Sequence, residues 1–266
     1  MGIEYVDLDV LHYAGLLRGK CIGFGGKLGS GKTYLADAMI DYIHHNSSVK
    51  AVRRSFADEL RNFVHNKVGI PVSTYKHDFN QLREKDRMYC VNAVRDHVNE
   101  NGFVLDDNFL VKRYALCTVF NDLYRTTLQL VGTELYRMQV DMDIWANSVG
   151  KTLDSDCITV IDDIRFPNEL NVVKQNGISV YSMALNSDSS VSDLHVEQHA
   201  SETSIGAADF EVIFYNLIGR FKTKAELGKA VFNTTVPFYF MFKVMQDEPN
   251  KEKILRQMLK NSCIYV

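Results

Sequence analysis

Short apolar blocks alternate along this chain with stretches whose apolar positions recur at helical spacing, a pattern that predicts strands and helices in turn. The block 20–24 predicts a buried strand, a glycine-rich turn follows, and 32–45 predicts a helix with Leu35, Met39 and Ile43 on one face. A second strand is expected at 52–56, then a helix over 57–68 with Leu60, Phe63, Val64 and Val68 aligned. From 69 to 107 the chain is polar and charge-rich, helical only near 88–98, and reads as an inserted segment rather than core. The apolar periodicity of 108–139 predicts two helices. The central strand signal is 157–161, with a helix at 168–175 that stops at Gly177. A strand at 178–185, a polar loop through Ser204, a short strand at 212–215 and a helix at 223–232 complete the series. Such alternation implies an α/β fold with a mostly parallel sheet flanked by helices on both faces. The residues after 235 read as an appended segment with one helix near 250–260.

Composition narrows the class. A chain of 266 residues, 46% hydrophobic and 24% charged, has the make-up of a soluble globular protein able to bury a sizeable core. A net charge of −3 gives no global positive field, so neither nucleic acid nor an anionic membrane is expected as a partner. No apolar run approaches the roughly 20 residues needed to span a bilayer, and the start of the chain lacks the basic and apolar regions of a signal peptide. The five cysteines form no CxxC pair, which argues against a zinc site or disulfide framework and for a reducing compartment. A cytoplasmic protein is the expectation.

The sharpest chemical signal lies between the first strand and the first long helix. Gly26-Lys27-Leu28-Gly29-Ser30-Gly31-Lys32-Thr33 fits G-x-x-x-x-G-K-[ST] throughout. Glycines let backbone N–H groups converge on an anion, and the helix N-terminus adds about half a positive charge. Lys32 is then placed to bridge the β- and γ-phosphates of ATP, and the Thr33 hydroxyl to ligate Mg²⁺. A chance glycine turn is the alternative, and the complete match in a strand–turn–helix setting argues against it. The strand running into Asp162-Asp163 resembles a Walker B strand, which makes Asp162 a candidate for the metal shell; an ordinary strand ending in solvated acids is the other reading. No guanine-reading N/T-K-x-D segment occurs at a sensible place, and Asp163 stands where a motor ATPase would carry glutamate.

Further segments, in order, resemble the deoxynucleoside monophosphate kinases of bacteriophages and other large DNA viruses. They are GGKLGSGKT, SFADELRNF, TLQLVGTELYR, DIWAN, VIDDIRFPNE, HASET and FEVIFYNLIG, and the resemblance covers about 19–232. It implies a P-loop nucleotide-kinase fold over 1–235, with substrate-binding and lid helices at about 69–145, and an extension over 236–266. It implies Asp163, Arg165 and Glu169 at the acceptor nucleotide, with Phe56 and Ala57 lining its entry. Trp145 becomes a base-stacking or pocket-wall candidate, and Arg125 and Arg137 candidates for clamping the transferred phosphate. Arg53, Arg54, Arg83 and Arg87 read as a solvated face, of which Arg87 alone is a candidate anion contact. His199 and Glu202 sit on a polar loop where a local hydrogen bond is the simpler reading. A homodimer is implied by the resemblance alone. One departure stands out: many relatives carry Asp directly after the loop lysine, where this chain has Thr33.

The expected activity is transfer of the ATP γ-phosphate to a deoxynucleoside 5′-monophosphate. Two alternatives remain open on sequence: a kinase of a nucleoside or other alcohol, with Asp58 or Asp163 as base, and a nucleotide-sensing ATPase.

Overall fold

Five short strands, each rich in apolar residues, assemble into one all-parallel sheet in the order β2-β3-β1-β4-β5. They are β1 (Cys21–Gly25), β2 (Ala51–Arg54), β3 (Ile158–Ile164), β4 (Gly177–Ala184) and β5 (Val212–Asn216). The computed structural model describes residues 10–70, 84–184, 200–216 and 221–240. The helices are α1 (Val10–Leu16), α2 (Lys32–Asn46), α3 (Ala57–Phe63), α4 (Glu84–Asn101), α5 (Asp107–Ala115), α6 (Phe120–Gln129), α7 (Ile144–Gly150), α8 (Pro167–Asn176), α9 (Ala200–Thr203) and α10 (Lys224–Tyr239). Helix α3 continues as a π-helical turn over Val64–Val68, and α6 as another over Leu130–Arg137. No helix among the described residues is long and apolar enough to cross a membrane.

The chain divides into two compact units, Met1–Ser55 with Val149–Val266, and Phe56–Ser148. In the first, β1 is central and buried throughout. Its alternate residues Ile22 and Phe24 join a core with Leu35, Met39 and Ile43 of α2 and Leu227 and Val231 of α10. Its other face presents Gly23, where a Cβ would fall 2.5 Å from Ile164 Cδ1 and 2.7 Å from Val173 Cγ2, so α8 packs directly against the strand. Burial pushes the Cys21 thiol up to about 12, as suits a core residue. Each large apolar side chain so buried contributes roughly 1.5–3 kcal/mol.

The second unit has its own core, built from Leu60 and Val64, from Cys90, Val91, Val94 and Val98 of α4, and from Leu110, Leu123, Leu130, Leu135 and Trp145. The stretch expected to lie outside any core thus supplies four core residues from α4. Helix α4 is polar on most of its surface and commits a narrow stripe to the core.

Boundaries shift where burial or pairing overrides the local signal. Strand β3 carries Asp162 and Asp163 within it, because both carboxylates are buried and paired. Strand β2 stops at Arg54, and Phe56 already has helical backbone angles as the N-cap of α3. Helix α10 runs past the expected end at 232 to Tyr239, held by the buried Val236 and Tyr239. Arg83, His199, the stretch 71–83 and the helix expected at 250–260 lie outside the described residues, as does the side chain of Glu202.

Candidate functional site

In a parallel sheet of this order, β3 and β4 flank β1 on opposite sides, and the crevice beyond their carboxyl ends is where ligands bind in open α/β sheets. The glycine loop lies there, joining β1 to α2. Gly26, Gly29 and Gly31 have φ of 140°, 77° and 82°, a region that L side chains rarely adopt. Gly31 immediately precedes the first helical residue and offers no side chain to cap α2, and the first turn of that helix carries no acid. The positive end of the helix therefore faces the loop uncompensated by a carboxylate of its own first turn. Lys32 Nζ folds back to donate to the carbonyls of Gly26 and Lys27, each at 2.8 Å. Thr33 is exposed on the first turn, and Ser30 is buried, its Oγ without a hydrogen-bond partner among the described residues.

Strands β2 and β3 bring a set of charged groups to the same end of the sheet. Asp162, 8% exposed, lies 3.9 Å from Arg53 Nε. Arg53 Nη1 also donates to Asp37 of α2, at 2.8 Å and 3.0 Å to its two oxygens. Asp37 stands one helical turn beyond Thr33 on the same face of α2. Arg53, read from sequence as part of a solvated face, is thus a bridge between helix and strand. Asp163 is also buried and accepts a hydrogen bond from Ser55 Oγ, a partner that nothing local in the sequence signals. Arg165 and Glu169 follow at the start of α8. Glu169 is 3% exposed, and its Oε2 accepts from the backbone N–H groups of Arg165 at 2.8 Å and Phe166 at 3.1 Å. It thereby caps α8 in the manner of an acid three residues inside a helix.

The remaining candidates lie in the second unit. Arg87, half-buried, donates through Nε (3.3 Å) and Nη2 (2.9 Å) to the Cys117 carbonyl and through Nη1 to Glu84 at 3.0 Å. Arg125 is half-buried on α6, and Arg137 is 5% exposed at the end of the π-helical segment, donating to the Met142 carbonyl at 3.0 Å. Phe56 is buried beside the half-buried Ala57. Trp145 is buried and donates its indole N–H to the Gly132 carbonyl at 3.0 Å, with the rings of Phe63 and Tyr136 alongside. His97 is buried in the same aromatic group, its Nε2 3.2 Å from the Tyr136 hydroxyl, and burial lowers its pKa below the usual histidine value.

The loop fits a polyphosphate. Its glycines hold left-handed geometry, its lysine ammonium lies over its own carbonyls, and a buried hydroxyl has unused hydrogen-bonding capacity. Thr33 and Asp162 supply hard oxygen donors of the kind Mg²⁺ takes. Among the described residues no group of three or more His, Cys, Asp or Glu side chains is arranged to hold a metal.

No family model matches the chain. It is similar to a deoxynucleoside-5′-monophosphate kinase of Escherichia phage T5, 32% identical over 113 residues. Those residues make up 41% of this chain and 44% of that kinase, so the chain spans less than half the length of the relative it matches.

Proposed function

We propose that this chain is an ATP-dependent phosphotransferase that moves the γ-phosphate to a deoxynucleoside 5′-monophosphate, giving the diphosphate and ADP. The observation that carries the phosphotransfer is the glycine loop at the end of the central strand, with Lys32 folded over it at the start of α2. The acceptor class is supported by the likeness to the phage T5 kinase and by the ordered motifs that follow the loop.

The chemistry asks little covalent work of the protein. The attacking oxygen of a monophosphate is already anionic, so no general base is required. Two crowded anions must instead be neutralised and water kept out. Lys32 and the loop amides hold the β- and γ-phosphates. Thr33 and Asp162 would hold Mg²⁺, which would supply positive charge against the donor's phosphates. Arg125 and Arg137 stabilise the transferring group, a role in which a planar guanidinium grips phosphate through paired N–H donors. On the acceptor side Asp163, held by Ser55, and Arg165 read the nucleotide. Glu169 sets the start of α8 beneath them. Phe56 and Ala57 line the acceptor's entry, Arg87 is a further anion contact, and the burial of Trp145 favours a wall over a stacking platform.

A coupled ADP-release assay with ATP, Mg²⁺ and each of the four common deoxynucleoside monophosphates tests this. Stimulation by at least one of them is expected, and stimulation by none would sink the acceptor assignment. The alcohol-kinase alternative makes a different forecast for Asp163→Asn. There turnover is abolished while acceptor affinity survives, whereas a monophosphate kinase loses acceptor affinity and base discrimination.

A further inference from the structure

The phosphate loop is fastened by two residues far from it in sequence. The Ser30 carbonyl accepts a hydrogen bond from Ser182 Oγ of β4 at 2.6 Å and another from Asn216 Nδ2 at the end of β5, at 3.1 Å. Both lone pairs of that oxygen are thereby engaged. The same two residues press on the loop elsewhere. A Cβ on Gly26 would fall 2.4 Å from the Ser182 carbonyl oxygen, and a Cβ on Gly31 would fall 2.7 Å from Asn216 Nδ2.

A peptide group is a rigid trans plate, so the Ser30 carbonyl and the Gly31 N–H point in opposite directions. Holding the oxygen against the ends of β4 and β5 therefore turns the Gly31 N–H away from the sheet edge, at the mouth of α2. Among the described residues that N–H has no acceptor. Glycine visits positive and negative φ about equally, so this plate would otherwise flip at little cost. A flipped plate would present a carbonyl oxygen where the loop needs a donor.

We infer that Ser182 and Asn216 are positioning residues that fix the Ser30–Gly31 peptide, so that the Gly31 N–H addresses a phosphate of the donor nucleotide. The inference rests on the reading of the loop as a nucleotide site and adds to it the two groups that keep the loop in its binding form. If only the unflipped plate binds, apparent affinity falls by the fraction of molecules in which it flips.

The test uses the full chain and its Ser182→Ala and Asn216→Ala variants. Calorimetric titration with ADP and with inorganic tripolyphosphate is set beside the ligand-free melting temperature. Each variant is expected to bind both ligands about three- to tenfold more weakly, the weight of one lost hydrogen bond. Because both donors act on one oxygen, the double variant should depart from the product of the two single effects. The loss should appear with tripolyphosphate, which has no base or sugar, beside no more than the modest fall in melting temperature that one lost hydrogen bond brings. A merely structural role would move the melt and leave both dissociation constants alone. Wild-type affinities in both variants, with the unaltered chain binding normally, would overturn the inference while sparing the nucleotide-site reading. Failure of the unaltered chain to bind either ligand would overturn that reading itself. Should buried Ser182 not tolerate alanine, half-buried Asn216 carries the test alone.

Discussion

Replacing Trp145 by phenylalanine separates packing from ligand contact at the chain's single tryptophan. The side chain is 5% exposed, so the smaller ring leaves unfilled volume between Phe63 and Tyr136, whose centroids lie 6.2 Å and 5.9 Å from the indole. Trimming a buried aromatic in this way costs about 1–2 kcal/mol, a part of the roughly 3–5 kcal/mol lost on full truncation to alanine. The lost indole N–H leaves the Gly132 carbonyl short of a buried partner, now 3.0 Å away, which adds about 1–2 kcal/mol. The sum, about 2–4 kcal/mol, is a large share of the roughly 5–15 kcal/mol that holds most domains folded. Urea unfolding followed by circular dichroism should show the midpoint falling by about 1 M. Acceptor KM, measured well below the transition, should stay within about twofold of wild type, the change expected where no direct contact is lost. An unmoved midpoint together with a KM raised tenfold or more would refute the packing assignment and return the indole to the nucleotide.

Three further outcomes follow from the geometry. Lys32→Ala should weaken ATP binding and lower turnover by about a hundredfold or more, as loss of a group aimed at the transferring phosphate does, and undiminished turnover would count against the whole donor-site assignment. Gly132→Ala places a Cβ 2.5 Å from Leu60 Cδ2 in the second core, so about 1–3 kcal/mol of stability should be lost in the same urea assay. For His97, burial lowers the folded-state pKa, with the nearby Glu100 opposing. The unfolded chain therefore binds the proton more readily, and this contribution to stability is complete above the ordinary histidine pKa and is lost as pH falls through it toward the folded value. A series of unfolding midpoints against pH should show a decline on the acid side that His97→Asn flattens.

Much of the first unit is written locally. The loop is legible because phosphate binding by backbone requires glycine at set positions, and glycine spacing survives in one dimension. Strand β1 and helix α2 announce themselves through period and burial. What escaped notice was decided by distant partners. Asp162 and Asp163 read as acids at a strand's end, but their partners, Arg53 of β2 and Ser55 just after it, are brought to them only by the sheet. Ser182 and Asn216 sit among ordinary strand residues, and only the sheet order brings them to Ser30. In the second unit, α4 hides its four core residues in a mostly polar helix, so average hydropathy misleads where periodicity alone would have spoken. Arg87 carries the residue type of an anion contact, and its contacts with Cys117 and Glu84 are the part that only the fold supplies.

The position of β1 at the middle of the sheet bears on how the chain is made. Its two neighbours are β3 and β4, while the contiguous unit Phe56–Ser148 is encoded between them and it. On the ribosome, Cys21–Gly25 emerges before both neighbours and finds neither edge satisfied until Ile164 and then Ala184 have left the exit tunnel. The intervening unit can collapse on its own residues meanwhile, but the apolar segment that ends in the glycine loop must wait. Nascent chains halted before β3 should therefore be sticky, chaperone-bound and unable to retain nucleotide, and release past β4 should reverse all three together.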